Sequence, residues 1–157
     1  MLKTIQVDTR QHKGKHTLKH EAFAEMGIHI VNSKVPYGDY ALVSPVSIDT
    51  KKDMEEIAGE IGGKNHKTFI NECKGARDAG CRLIILVENT EGITDISQVH
   101  NWVNPRTIYS PKCIQGARLQ KAMQTISERY GTEFWFCHPC ESAQIITETL
   151  GKYEWTK

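Results

Sequence analysis

The stretch VPYGDYALVSPVSIDTK, residues 35–51, contains two short runs of alternating apolar and polar residues on either side of Ser44-Pro45. Alternation with a period of two is typical of strands, and a Ser-Pro pair between two such runs indicates a turn. We therefore predict a β-hairpin with strands at residues 40–43 and 46–48.

The predicted hairpin brings two carboxylates and a lysine to one place. With a two-residue turn, Tyr40 lies opposite Asp49 and Asp39 lies opposite Thr50. Facing or diagonal side chains on paired strands are roughly 5–8 Å apart, so Asp39 and Asp49 are near neighbours. Because side chains alternate along a strand, Lys51 projects from the same face as Asp49.

Three charged groups at one point fit a site for a divalent cation. Mg²⁺ takes oxygen ligands from one or two carboxylates and keeps water on its other positions. Such an ion activates water and stabilises charge on a phosphoryl oxygen, and a lysine beside it can orient either group. The alternative is a solvated hairpin whose lysine and aspartate form an ion pair worth about 0–1 kcal/mol. The spacing alone slightly favours this alternative.

Strands and helices alternate along the rest of the chain. Period-two and apolar runs predict strands at residues 2–7, 28–31, 82–87 and 133–137. Helical spacing and capping signals predict helices at residues 17–26, 53–61, 69–76, 110–130 and 141–150, the fourth of them beginning at Ser110-Pro111. This order predicts an α/β fold with a central mixed sheet flanked by helices. We see no linker or repeat, so residues 1–157 form one predicted domain.

The composition excludes several classes of protein. The chain has 157 residues, a formal net charge of +1, 39% hydrophobic residues and 25% charged residues, which fits one globular domain rather than a disordered chain. No apolar run approaches the 18 or so residues of a membrane span, and the first residues lack the apolar stretch of a signal peptide. Five cysteines at irregular spacings favour a reducing compartment.

The charges are unevenly distributed along this nearly neutral chain. Residues 1–20 and 101–130 each contain five basic residues and one acid, whereas residues 53–60 contain four acids and no base. Basic blocks on either side of an acidic centre suit a phosphate-bearing polymer bound beside a metal site. On charge alone, an ordinary solvated surface is the better interpretation.

The order of motifs along the chain resembles a known family. Val7-Asp8-Thr9-Arg10 comes first, then Gly38-Asp39-Tyr40, then Asp49-Thr50-Lys51 with acids soon after, and later the apolar strand that ends in Glu88. This order is similar to that of the XPF/ERCC-type nuclease domain, a branch of the restriction-endonuclease-like PD-(D/E)xK superfamily. The similarity extends over about residues 3–150. It implies a restriction-endonuclease-like domain that cuts DNA with Mg²⁺ or Mn²⁺.

The resemblance also assigns roles to individual residues. It implies that Asp39, Asp49 and the Thr50 carbonyl bind the metal, that Lys51 is the catalytic lysine, and that Asp8 helps to hold the metal or orient the site. For supporting roles we name Glu55 or Glu56, between which the sequence does not decide, and Glu72. The basic residues expected to contact DNA are Arg10, Lys13, Lys67, Arg118 and Lys121.

The chain departs from the family pattern at three positions. Asp49 replaces glutamate, Thr50 replaces an arginine that would offer a phosphate-binding fork, and Gln11 replaces the opening glutamate. These changes affect substrate handling more than the metal and lysine set. A catalytically silent DNA-binding or scaffolding subunit is therefore the main alternative function, although silent members usually lose the acid or the lysine.

Two further patterns have weaker functional interpretations. Cys137-His138-Pro139-Cys140 is a single CxxC pair that could support a zinc-stabilised interaction module, although packed cysteines are the favoured interpretation. His12, His16 and His20 recur every four residues among lysines, which predicts a phosphate-facing or solvated helix face.

We expect a DNA endonuclease that acts on branched or flapped DNA in recombination or repair. The resemblance covers no helix-hairpin-helix module, so we expect a homodimer or a protein partner to supply additional DNA-binding surface. We expect no membrane association. The expected location is the cytoplasm, with nucleoid association if the protein is bacterial or phage-encoded.

Overall fold

A computed structural model of the protein describes residues 4–11, 14–33, 35, 38–41 and 46–152. These residues form a six-stranded sheet. Its strands are β1 (Thr4–Asp8), β2 (His29–Ser33), β3 (Tyr40–Ala41), β4 (Val46–Lys51), β5 (Arg82–Glu88) and β6 (Glu133–Cys137). The helices are α1 (Thr17–Glu25), α2 (Met54–Gly62), α3 (His66–Asp78), α4 (Gly116–Tyr130) and α5 (Ser142–Gly151).

The sheet is mixed, as predicted. Its strand order is β2-β1-β3-β4-β5-β6. The pairs β1–β2, β4–β5 and β5–β6 are parallel, whereas β3 runs antiparallel to both β1 and β4. The predicted hairpin therefore lies in the middle of the sheet and connects its two parallel parts.

Helices cover both faces of the sheet, and each face has its own apolar core. On one face, α2, α3 and α4 pack against Leu83, Ile85 and Val87 of β5. On the other face, α1 and α5 pack against Ile84 and Leu86 of the same strand. The nearly continuous apolar sequence of β5 is required because the strand is buried on both faces. The predicted α/β architecture with flanking helices is thus confirmed.

The predicted hairpin register is wrong by one residue. Tyr40 pairs with Ile48 rather than with Asp49. Tyr40 and Ile48 are both fully buried in the core beneath α1, whereas a slip of one residue would turn one of them to the opposite face. The proposed Ser44-Pro45 turn lies outside the described residues.

The predicted start of α4 is also wrong. The helix begins at Gly116 rather than at Ser110-Pro111, and a 3₁₀ helix, Pro105–Ile108, precedes it. Ser110 lies outside any helix, and its N–H donates to the Arg106 carbonyl. A Cβ on Gly116 would collide with the Val99 carbonyl oxygen, so this close backbone approach fixes the point at which the helix starts.

None of the helices in the described part of the chain is long and apolar enough to cross a bilayer. That residues 1–157 form one domain stays a prediction, because both ends of the chain lie outside the described residues.

Candidate active site

Gly38 places the first acid of the site against β4. Its φ is 76°, and a Cβ at this position would lie 2.7 Å from the Ile48 carbonyl oxygen. The next N–H, that of Asp39, donates to the same carbonyl at 2.8 Å. Only glycine has both the positive φ and the space for this approach, so the glycine of the Gly-Asp-Tyr motif is a geometric requirement.

Thr50 holds the carboxylate of Asp39. Asp39 Oδ2 accepts hydrogen bonds from the Thr50 N–H at 2.8 Å and from the Thr50 hydroxyl at 2.7 Å. The threonine that replaces the family's arginine therefore supplies an additional hydrogen bond to the acid. The sequence alone indicated the loss of the arginine's phosphate-binding group, but it did not reveal the hydrogen bond from the Thr50 hydroxyl to Asp39.

Lys51 is held between two acids. Its Nζ lies 2.9 Å from Asp49 Oδ2 and 2.8 Å from Glu60 Oε2, and the lysine side chain is only 8% exposed. Burial alone would lower the pKa of Lys51, but the charges of Asp49 and Glu60 raise it above its ordinary value. The lysine is therefore an ammonium ion, which suits charge stabilisation rather than proton abstraction.

Asp49 has a strongly perturbed environment. Burial raises the pKa of its carboxyl well above the ordinary value, Lys51 opposes that shift, and the charges of Asp39 and Glu72 add to it. Like charges that act on a buried carboxyl at the end of a strand are typical of functional sites. The two predicted metal ligands thus lie close enough for one charge to act on the other.

Glu72 reaches the site from α3. Its Oε1 accepts a hydrogen bond from the Gly38 N–H at 3.0 Å. Burial raises the pKa of this carboxyl, and the nearby charges of Glu60 and Asp39 raise it further, while the Gly38 bond and Lys51 oppose the shift. The predicted supporting role is consistent with this position, because Glu72 fixes the glycine that orients Asp39.

The donor set fits a hard divalent cation. Four acids, Asp39, Asp49, Glu60 and Glu72, interact around one ammonium ion, and the raised pKa values of Asp49 and Glu72 show that the cluster resists holding all four as carboxylates without a further cation. All of its ligand atoms are oxygens, which Mg²⁺ and Mn²⁺ prefer. In the described part of the chain, no three acids, histidines or cysteines form a ready-made cage. A cation would therefore depend on Asp39, Asp49, the Thr50 carbonyl and water.

Asp8 organises the strand end next to the site. Both of its carboxylate oxygens accept from Arg10 Nε, at 3.0 and 2.9 Å. Arg10 in turn donates to the Val35 carbonyl at 2.6 Å, and the Asp8 N–H donates to the Asp39 carbonyl at 2.8 Å. The arrangement is consistent with the orienting role of Asp8, which stays a prediction. Arg10 remains 57% exposed, so it is accessible to a phosphate.

The structure separates the two acids between which the sequence did not decide. Glu55 is exposed, whereas Glu56 pairs with Lys15 at 3.2 Å. Neither acid has a hydrogen bond or ion pair to Asp39, Asp49 or Lys51 among the contacts of the described residues. Lys67, Arg118 and Lys121 are exposed on α3 and α4, and their contact with DNA stays a prediction. Lys13 lies outside the described residues.

Sequence reasoning missed Glu60 as the partner of Lys51. Glu60 follows Glu56 by one helical turn on α2, so the two acids lie on one side of that helix. This four-residue spacing could have indicated from the sequence that Glu60 lies on the same side of α2 as Glu56. The distance to Lys51, however, is set by how α2 folds back on β4, which the local pattern does not contain.

A second buried ion pair lies on the opposite face of the sheet. Lys19 Nζ is 2.6 Å from Glu88 Oε2, and the two side chains are 9% and 6% exposed. The sequence identified Glu88 only as the end of an apolar strand, and it offered no signal for Lys19 because lysines are usually solvated.

The CxxC pair is divided between the core and the surface. Cys137 packs in the core beneath α1 and α5, and burial raises the pKa of its thiol to about 12. Cys140 is exposed, and His138 Nδ1 lies 3.0 Å from its sulfur. Cys137 therefore agrees with the favoured interpretation of packed cysteines, whereas the exposed Cys140 does not.

Comparisons with known proteins agree with this architecture. A family model described as the ERCC4 domain matches residues 7–149. XPF from Aeropyrum pernix is similar in fold, with a TM-score of 0.67 and 19% identity over 97% of this chain and 65% of that chain. XPF from the same organism in complex with DNA gives a TM-score of 0.65 and 18% identity over 98% of this chain and 66% of that chain. The chain thus spans just under two thirds of the length of these structures. No curated protein matches the sequence.

Proposed function

Because the chain belongs to the ERCC4 domain family, a family of DNA nuclease domains, we propose that it is a metal-dependent endonuclease that hydrolyses DNA phosphodiester bonds. The observation that carries the proposal is the buried ammonium ion of Lys51 within a group of four acids. A purely structural ion pair would need one acid. The excess carboxylates are explained if a divalent cation completes the site.

Asp39, Asp49 and the Thr50 carbonyl would hold the ion. When bound, Mg²⁺ or Mn²⁺ would lower the pKa of a water molecule and neutralise charge on a phosphoryl oxygen. Thr50 keeps Asp39 in place through two hydrogen bonds. Lys51, kept protonated by Asp49 and Glu60, would stabilise the additional negative charge that develops on the phosphate.

The substrate we propose is branched or flapped DNA in recombination or repair. This rests on the family and on the solved relative that is in complex with DNA. Exposed Arg10 lies next to the site, and Lys67, Arg118 and Lys121 add positive charge elsewhere on the surface. We also propose a cytoplasmic location, with nucleoid association if the protein is bacterial or phage-encoded.

We also propose that a second copy of the chain or another protein contributes to DNA binding. The formal net charge of +1 gives little overall attraction for a polyanion, so local basic residues would have to supply the affinity alone. Sedimentation with and without DNA tests this point. A strict monomer that binds DNA at nanomolar concentration would contradict it.

The test of the main proposal is cleavage of end-labelled flap, fork, four-way, single-stranded and duplex DNA in Mg²⁺, in Mn²⁺ and in EDTA. We expect cleavage that EDTA abolishes and that Asp39→Ala and Lys51→Met each reduce by about 100-fold or more. Asp78→Asn and Lys74→Met, which change exposed residues of α3, are the matched controls. DNA binding that survives in a protein without cleavage would favour the silent subunit instead.

A further inference from the structure

A cavity with a mixed polar and apolar lining lies beside the candidate active site, where β1 ends and α1 begins. Its volume is about 320 Å³, at the lower end of the range for small-ligand sites. The side chains of its lining include those of Asp8, Gln11, His16, Thr17 and His20. The cavity and the candidate site share structural supports, because Asp8 and Gln11 both bond to the Asp39 carbonyl, through the Asp8 N–H at 2.8 Å and through Gln11 Nε2 at 3.3 Å.

Two buried polar atoms of the lining residues have no hydrogen-bond partner among the residues that the structure describes. These atoms are Gln11 Oε1 and His16 Nδ1, and His16 is only 5% exposed. The bond from Gln11 Nε2 to Asp39 fixes the amide group, so its oxygen has no freedom to turn away. A buried polar group without a partner has a free-energy cost, and in a native structure it indicates a water molecule, an ion or a ligand.

The lining favours an uncharged ligand. Burial lowers the pKa of His16 to about 4, and it also lowers the pKa of His20, so both imidazoles are neutral near pH 7. Asp8 is neutralised by Arg10 at 2.9 Å. Each neutral imidazole has one hydrogen-bond donor and one acceptor, which matches the mixed donors and acceptors of a neutral heterocycle, whereas a phosphate near neutral pH offers mainly acceptors.

Two nearly parallel histidine rings form part of one wall. The His16 and His20 rings lie 6.1 Å apart with an interplanar angle of 20°. The Tyr40 ring supports both edge-on, at 5.9 and 6.0 Å, and His20 Nε2 lies 3.2 Å from the Tyr40 hydroxyl. Flat rings beside hydrogen-bonding groups are the combination that proteins use to hold an unstacked base.

We propose that this cavity binds one unstacked nucleobase of the DNA substrate, from a nucleotide adjacent to the bond that is cut. The inference rests on the proposed function, since it takes DNA as the ligand. The base lies against the histidine rings of the lining. In this way the enzyme selects DNA in which a base near the cleaved bond is free to leave the helix, as at a fork or flap.

The test is a scan with abasic nucleotides. A fluorescein-labelled forked DNA receives a single tetrahydrofuran abasic residue at each successive position around the junction. Binding is measured by fluorescence anisotropy in Ca²⁺, which replaces Mg²⁺ with a larger ion of looser coordination and is included to limit cleavage. We expect affinity to fall about tenfold at one position or two neighbouring positions and to change little at the others.

A cavity-filling variant supplies the comparison. Thr17 is exposed at the rim, and Thr17→Phe should close the cavity, weaken binding of intact DNA about tenfold and remove the position dependence of the scan. Leu18→Phe adds an aromatic ring at the next residue, which is 78% exposed and outside the lining. This control should bind and respond as the wild type does.

A second measurement uses only the wild-type protein, in case Thr17→Phe does not fold. A base that leaves the stack increases the fluorescence of 2-aminopurine, so the increase should occur at the position that the scan identifies. A flat scan with normal DNA binding would overturn the nucleobase site and leave the nuclease proposal intact, with water in the cavity. The nucleobase site would also be overturned if the wild type and folded Thr17→Phe showed the same loss of DNA affinity at the same abasic positions. Failure to bind any DNA would overturn both proposals.

Discussion

Lys51 Nζ lies 2.8 Å from Glu60 Oε2, so the lysine at the end of β4 is clamped by an acid from the helix that follows it. The second contact of the same ammonium group, to Asp49 at 2.9 Å, comes from its own strand. The lysine therefore receives its position from both elements. This relationship makes Glu60 a positioning residue of the proposed reaction.

We expect Glu60→Gln to reduce the cleavage rate by about tenfold, with a smaller effect on DNA affinity. The amide keeps the size of the side chain but removes one of two counter-charges, so the Lys51 ammonium is held less firmly where charge develops. Single-turnover cleavage at saturating protein measures the rate, and anisotropy measures the affinity. Glu128→Gln, an exposed change on α4, is the control. Equal rates for the two variants would contradict the assigned role.

Gly38→Ala should destabilise the protein more than the same change at Gly27. Both glycines have positive φ, 76° and 72°, so each alanine has a backbone cost of roughly 1–2 kcal/mol. At Gly27 the added Cβ meets nothing within 4 Å, whereas at Gly38 it would lie 2.7 Å from the Ile48 carbonyl oxygen. Urea denaturation should show a loss at Gly38 that exceeds the loss at Gly27 by about 1 kcal/mol or more. Similar losses would mean that the hairpin relaxes away from the contact.

The parts of the site that could be predicted from sequence are those set by local periodicity. Alternation along β4 places Asp49 and Lys51 on one face whatever the exact pairing, and the Gly-Asp-Tyr motif places Asp39 beside them. A register error of one residue therefore did not separate the acids. It did assign the wrong partner to Tyr40, because the burial of that ring beneath α1 is a tertiary effect.

The contacts that the sequence did not reveal join elements that are distant along the chain. Glu60 reaches Lys51 only because α2 packs back on the sheet. Lys19 and Glu88 are separated by 69 positions and meet across the core. His16 was expected on a solvated or phosphate-facing helix, but it is buried just before α1 begins, since its ring packs against Tyr40. In each case the deciding quantity is burial, which a helical or strand period does not determine.

The buried pair of Lys19 and Glu88 should be strongly coupled. Lys19→Met leaves Glu88 as an uncompensated buried acid, and we expect a loss of about 3–5 kcal/mol in the free energy of unfolding. Combining Lys19→Met with Glu88→Leu removes both charges and should recover most of that loss. A double-mutant cycle by urea denaturation measures the coupling. The exposed pair of Arg77 and Asp78 provides the comparison, with an expected coupling below about 1 kcal/mol.

His16 should make the stability of the protein depend on pH. Burial lowers its pKa from 6.5 to about 4 in the folded state, so between these values the unfolded chain binds more protons than the native protein. The contribution of His16 is therefore complete above pH 6.5 and is lost as the pH falls towards 4, with a total on the order of 2–3 kcal/mol. His16→Gln removes this contribution, whereas His100→Gln, an exposed change, should not. The test is to measure the urea midpoint of each variant and of the wild type at pH 7, 6, 5 and 4.5. The contributions of the other titrating groups to stability cancel in the difference between the wild type and a variant. If the difference between His16→Gln and the wild type is constant at every pH, as expected for His100→Gln, the pKa of His16 is the same in the folded and unfolded states and burial does not lower it.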